Sequence, residues 1–297
     1  MQRALGALGG VRIGSEEVIS GYYRPVFLAL STLYYQAVGA KPGAWHFVSV
    51  MIAALLGWAA YRFFVRFDLP PRAALLASLV FSLHPSHVGS VAWASGLQEL
   101  LAALFSVLAV LSLGARRDLD PTLEGHQSDR WPIAWAATFF VLAVLSKEVG
   151  IALPAFVAVW AYLLPPQDNP ALARRLRRAT WALSALAASY LLARVVVLGG
   201  VAHPPASAPS FASSIASVPV AFATYLKMLA APVGFSFFRP ERPQFAPQSL
   251  PVLVSVVAIL GLTLTAVWFV RKRRSASGSV DCGLVLPIVW TVLWLGP

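Results

Sequence analysis

The sequence predicts an all-α, polytopic integral membrane protein, and three observations carry that prediction. Apolar residues make up 58% of the 297 and charged residues 12%, with a mean hydropathy of +0.71. Soluble domains run at about 45–50% apolar and about 25% charged. Long apolar stretches recur along the chain, as helices crossing about 30 Å of hydrocarbon at 1.5 Å per residue require. Lys and Arg gather at alternate ends of those stretches, the pattern by which positive charge orients a polytopic chain.

The same observations exclude other classes. A net charge of +11 would suggest nucleic acid in a soluble protein, but in this composition it reads as orienting charge, and no nucleic-acid partner is expected. The single cysteine, Cys282, excludes an internal disulfide and a cysteine-based metal cluster. No Gly-rich phosphate loop, His-Glu-x-x-His or Gly-x-Ser-x-Gly occurs, which disfavours a nucleotide-using enzyme, a zinc protease and a serine hydrolase. No cleavable signal is expected, because Met1 to Ser20 contains no continuous apolar core.

Residues 1–44 read as an outer-face segment, and residues 45–297 as a multi-span membrane domain. The opening is polar and leads to Tyr22-Tyr23-Arg24-Pro25. The following FLALSTLYYQAVG is short for a span and predicts an interfacial helix. Spans are expected at 45–64, 72–83, 97–113, 132–145, 151–164, 180–198 and 250–270, with another starting at 283, about eight in all. Arg174, Arg175, Arg177 and Arg178 are expected in a loop before the span at 180. The stretch 214–238 is apolar but interrupted by Pro219, Lys227 and Pro232, so it is read as membrane-associated without a settled crossing.

If Arg62, Arg66 and Arg72 are cytoplasmic, the up-and-down order places Arg116, Arg117, Arg130, the four arginines of 174–178 and the basic run 271–274 there as well. That is 14 of the 23 Lys and Arg. The other side receives His46, His84, His87 and His203 and the carboxylates Glu16, Glu17, Glu99, Glu148 and Glu241. A charge at the bilayer centre costs about 2.5–3.5 kcal/mol even on insertion scales. Glu99, Lys147, Glu148 and Arg194 therefore need water, one another, or a ligand. Snorkelling and mutual pairing would account for any one of them; their collection on one side points to a site.

The stretch from Phe81 to Leu100, FSLHPSHVGSVAWASGLQEL, concentrates that polarity between two apolar runs. On this face Arg and Lys are suited to phosphate, carboxylates to accepting a hydroxyl proton, and Tyr22, Tyr23 and Trp93 to stacking on a sugar or lipid headgroup. His84 and His87 with one distant Glu are a weak metal signal. Capping a helix end is the commoner role for such a pair. No metal site is assigned, although a divalent ion stays possible.

Four segments carry a resemblance: YYRPVFLALSTLYY, WHFVSVMIAALLGWAAYRFF, LVFSLHPSHVGSVAWASGLQELLAALFSVLAVL and LSKEVGIALPAFVAVWAYLL. With YLLARVVVLGG and ATYLKMLAAPVGFSFFRPERP behind them, the chain resembles the membrane part of the transmembrane and tetratricopeptide-repeat O-mannosyltransferases and their bacterial relatives. The likeness covers most of Tyr22 to Pro240. It implies a GT-C-like helical bundle that moves a sugar, mannose or another hexose, from a polyprenyl- or dolichyl-phosphate carrier to a hydroxyl acceptor, such as protein Ser/Thr, on the extracytoplasmic face with inversion. It implies Arg24, Lys147 and Arg194 as phosphate-binding candidates, Glu148 and Glu99 as acidic-site candidates, and His84 and His87 as residues shaping the cavity.

The resemblance also implies an earlier membrane helix and an acidic pair that this chain lacks. The expectation is thus of a fragment, inactive alone, without its first span, truncated at its C-terminus and without tetratricopeptide repeats. The Ala- and Arg-rich composition suits a bacterial inner membrane. A polyprenyl-lipid flippase or scaffold, or a secondary transporter, would share the charged membrane groups; a transporter should also show an internal repeat, and none is seen.

Overall fold

The computed structural model describes residues 10–13, 16–19, 23–114, 129–163, 169–198, 211–231, 249–261, 286 and 290. Every element described from residue 25 onward is helical. A small antiparallel hairpin precedes them, pairing β1 (Gly10–Ile13) with β2 (Glu16–Ile19) in the register Val11 to Val18. A polar opening does not by itself specify a strand. Alternation in a short run such as Glu-Val-Ile is a weak signal beside the long helical periods that follow.

The helices start where proline sets φ and removes a donor that the first turn cannot use. Pro25, Pro42 and Pro71 open α1 (Pro25–Val38), α2 (Pro42–Arg66) and α3 (Pro71–Leu83). α1 stops at Gly39, whose φ of +66° favours glycine. α3 ends at His84, and a one-turn 3-10 segment at Pro85–His87 leads into the short α4 (Val88–Ala92). A second 3-10 turn, Ala94–Gly96, precedes α5 (Leu97–Ser112). α6 (Arg130–Ser146) is followed by a 3-10 stretch at Glu148–Ala152 and then by α7 (Leu153–Leu163), α8 (Pro170–Leu198), α9 (Phe211–Ala230) and α10 (Leu250–Gly261).

Two expectations are corrected here. The four arginines of 174–178 lie on α8 instead of in a loop, because the helix begins ten residues before the expected span. Asn169 accepts from the Leu172 backbone N–H at 2.8 Å and Pro170 occupies the first turn, an N-terminus strong enough to carry four cationic side chains. Pro219 lies inside a continuous α9 and does not break it. α9 ends one residue before Ala231, ahead of Pro232.

Among the described residues, three helices are long and apolar enough to cross a membrane: Pro42–Arg66, Ala94–Ser112 and Pro170–Val197. A fourth crossing results if α3 and the Pro85–Ala92 segment, bent by 45°, form one broken span. The protein is an integral membrane protein. The other apolar helices among the described residues, including α1, α6 and the Ile215–Ala230 part of α9, run to 10–17 residues, and the span expected from 283 falls outside the described residues except at positions 286 and 290.

α5 packs against α6 and α2, α2 against α3, and α8 against α7 and α6. Small residues allow the close approach: Ala102, Ser106 and Ala109 on α5 and Ala136 and Ala143 on α6 are buried at helical spacing. Phe63, Phe67, Phe156 and Trp160 fill the wider space between α2 and α7 with tilted and edge-on rings. The packing leaves two ends, one holding the breaks around residues 84–96 and 147–152, the other holding the arginines.

Candidate functional site

Two breaks in helix build one end of the bundle. Backbone groups freed at such breaks are tolerated at membrane depth only where protein or water satisfies them, and here the breaks put polar side chains where continuous helix would put apolar ones. Gly96 closes the first break: a Cβ there would lie 2.6 Å from Ser90 Cα and 2.6 Å from its carbonyl oxygen. Gly150 closes the second, against the backbone of Ala143 and Val144 at 3.1 Å.

Arg24 stands just before α1 and reaches both breaks. Its Nε and Nη2 donate to Glu148 Oε2 at 3.1 and 2.8 Å, and its Nη1 donates to Gln98 Oε1 at 2.7 Å. Arg194, in the last two turns of α8, approaches the other Glu148 oxygen at 3.1 Å. The Arg24 and Arg194 side chains are only 14% and 15% exposed. A carboxylate shared by two guanidiniums in so covered a place is held in one orientation. Burial pushes the Glu148 carboxyl up, but the Arg24 hydrogen bond, the residue's own backbone N–H and the charges of Arg24 and Arg194 outweigh it and hold the group below its ordinary value.

Lys147 turns the other way. Its Nζ donates to Glu99 Oε1 at 2.6 Å, and Ser90 Oγ donates to Glu99 Oε2 at 2.6 Å. Glu99 is 45% exposed where Glu148 is 22% exposed, so the two carboxylates differ in access as well as in partners.

Arg24, Lys147, Arg194, Glu148 and Glu99 thus come together from four separate elements. Tyr23 packs against the hydrophobic core beside them, and Tyr22 lies outside the described residues. His84 Nδ1 is 2.8 Å from Ser86 Oγ, and His84 Nε2 is 3.2 Å from the Leu229 carbonyl. It also accepts from the Ser86 backbone N–H at 3.2 Å, so it caps the turn after α3 and ties that turn to α9. His87 sets its ring edge-on to Phe81, 4.7 Å between centroids. Among the described residues no group of three or more His, Cys, Asp or Glu converges as a metal-ligand set.

Ser90, Gln98 and Tyr190 were not singled out in the sequence. Gln98 and Ser90 sit inside the FSLHPSHVGSVAWASGLQEL stretch but carry no charge to mark them. Tyr190 precedes Arg194 by one helical turn, is 7% exposed, and lies in electrostatic reach of Arg194, Glu148 and Arg24. Its i, i+4 spacing to Arg194 was legible.

No family model matches the chain, and no solved structure matches it significantly. Curated proteins do. The chain is 29% identical over 173 residues to human Protein O-mannosyl-transferase TMTC4, an alignment covering 54% of this chain and 23% of the relative. It is 29% identical over 147 residues to human Protein O-mannosyl-transferase TMTC3, covering 49% and 15%, and 33% identical over 93 residues to Drosophila melanogaster Protein O-mannosyl-transferase Tmtc1, covering 31% and 11%. The chain therefore spans less than a quarter of the length of the TMTC4 and TMTC3 relatives it matches. Over about half of its own length this membrane protein is similar to proteins named protein O-mannosyl-transferases.

Proposed function

We propose that the protein is a membrane glycosyltransferase that moves mannose or another hexose from a polyprenyl-phosphate carrier to a hydroxyl acceptor. The observation that carries this reading is the convergence of Arg24, Arg194 and Lys147 with Glu148 and Glu99 at one end of an apolar bundle. The similarity to proteins named O-mannosyl-transferases supports protein Ser/Thr as the acceptor. A lipid-linked phosphate needs cationic groups at the edge of the hydrocarbon, and an acceptor hydroxyl needs a carboxylate to take its proton.

In this reading Arg24 and Arg194 bind the carrier phosphate and stabilise the charge it gains as the sugar departs. Glu148 holds both guanidiniums in place and is a positioning residue. Glu99, more exposed and oriented by Lys147 and Ser90, takes the acceptor proton while the hydroxyl oxygen attacks the anomeric carbon from the face opposite the phosphate. The bond from that carbon to the phosphate oxygen breaks, with inversion. A GT-C-like bundle, an extracytoplasmic active face in a bacterial inner membrane, and a division into an outer segment 1–44 and a membrane domain 45–297 belong to the same proposal.

The test uses the full-length gene product in membranes with a radiolabelled polyprenyl-phosphate sugar, following label into protein and lipid. Label entering protein in wild type and lost in Glu99→Gln, with donor binding kept, is the expected result. Saturable donor binding without transfer in wild type would replace this reading with that of a polyprenyl-lipid flippase or scaffold.

A further inference from the structure

The end opposite the site carries a second arrangement that sugar transfer does not use. Asp129, just before α6, has a side chain only 11% exposed and gathers three arginines of α8. Arg175 Nε donates to its Oδ1 at 3.0 Å, Arg178 Nη1 to its Oδ2 at 3.2 Å, and Arg174 Nε lies 3.7 Å from Oδ2. Arg175 is buried, and its Nη1 also donates to the Leu113 carbonyl at 3.2 Å. Arg174 and Arg178 stay 53% and 61% exposed, and Arg177 is exposed. Residues 174, 177, 178 and 181 share one face of α8, and Trp181 on it is 79% exposed.

The neighbouring helices also carry exposed aromatics at this end. Trp131 and Trp135, one turn apart at the start of α6, are 72% and 55% exposed, and Tyr162 at the end of α7 is 72% exposed. Exposed indole and phenol rings in these numbers suit the boundary between headgroups and acyl chains. Trp181 lies three residues beyond Arg178, about 4.5 Å further along the helix at the helical rise, so with the cations at headgroup level its ring would stand just below them.

We propose that this end holds the phosphate headgroup of an anionic phospholipid, bound by Arg174, Arg177 and Arg178 with Trp181 against its glycerol and upper acyl chains. Guanidinium forks suit phosphate oxygens, and Asp129 pre-orients two of the three. With Asp129 covered, its charge does not face the arriving lipid. This inference is independent of the proposed transfer reaction.

Native mass spectrometry of the full chain in detergent, titrated with phosphatidylglycerol or phosphatidylcholine, reads the dissociation constant of the first bound lipid. The expected result is preferential binding of phosphatidylglycerol, weakened about fivefold by Arg174→Gln and about fivefold by Arg177→Gln, the equivalent of about 1 kcal/mol per basic residue. Phosphatidylcholine binding should not change. Arg177→Gln lies outside the Asp129 ion pairs, so it tests the site even if Arg174→Gln perturbs folding. Equal affinity for the two lipids, or variants that bind phosphatidylglycerol like wild type, would overturn the proposal. So would displacement of the lipid by excess inorganic phosphate, which would make this a free-anion site, or preferential capture of a single-stranded oligonucleotide by the same arginines.

Discussion

The two ends of this bundle both hold carboxylates against arginines, and they do so in opposite ways. At the site end the carboxylates stand at or beside interruptions of the helices, near Gly96 and at Lys147–Glu148, with Arg194 reaching in from α8, and they join residues as far apart in sequence as Arg24 and Glu148. At the arginine end the cations ride on an unbroken helix, and Asp129 meets Arg175 and Arg178 at its first turns. The difference teaches where each kind of charge belongs. Long arginine stems on continuous helix can extend to water. The site-end carboxylates sit at or beside local openings of the backbone and take partners from several elements.

The largest effect expected from breaking this contrast falls on the site end. Glu99→Gln should lower sugar transfer by about 10²–10⁴-fold, the range of a positioned general base, while Glu99→Gln protein keeps its fold and its donor affinity; unchanged transfer would remove Glu99 from catalysis. At the other end, Asp129→Asn should leave Arg175 covered and without its carboxylate, lowering stability by about 3–5 kcal/mol. Thermal unfolding in detergent checks this, and an unaltered midpoint would show that the Leu113 carbonyl alone suffices for Arg175. Gly96→Ala should cost about 1–3 kcal/mol through overpacking against the Ser90 backbone. It should also lower transfer, because Ser90 orients Glu99. A variant as stable and active as wild type would show that the first break has room to relax.

A smaller, pH-dependent effect reports on the Glu148 carboxylate. Because the folded-state carboxyl of Glu148 is held below its ordinary value of 4.5, its contribution to stability is present above that pH and lost as pH falls further through the depressed value. The unfolding midpoint of wild type should hold from pH 7 down to about pH 5 and then drop more steeply than that of Glu148→Gln. Parallel curves for the two proteins would mean that the Arg24 and Arg194 contacts do not stabilise the folded state.

Much of this was legible in the order of residues. Proline and charge marked the starts of α1, α2 and α3, and the polar stretch 81–100 pointed to the first break, because a run that leaves the 3.6 period and places His, Pro and Glu beside Leu cannot continue as a membrane helix. Arg24, Lys147, Glu148, Glu99 and Arg194 stood out for the same reason: each is a charge in apolar surroundings. His84 stood out too, yet it serves the turn by bonding Ser86 and Leu229, since a ring nitrogen beside a freed carbonyl is read alike from sequence whether it caps or binds. The α8 arginines read as a loop because four cations suppress the apolar average, although Asn169 and Pro170 already specify a helix start.

Composition and period settle the solvent, the helical class and the alternation of charge, because both act residue by residue on the free energy of leaving water. Only the tertiary structure decided the pairings: that Arg24 and Arg194 share Glu148 while Lys147 and Ser90 take Glu99. Lys147 and Glu148 are neighbours in sequence, yet each finds its opposite charge on different elements, Lys147 at Glu99 and Glu148 at Arg24 and Arg194. The backbone turn between α6 and α7 sends them apart, and a side chain's partner is set by direction and distance in space, which no local run of residues encodes.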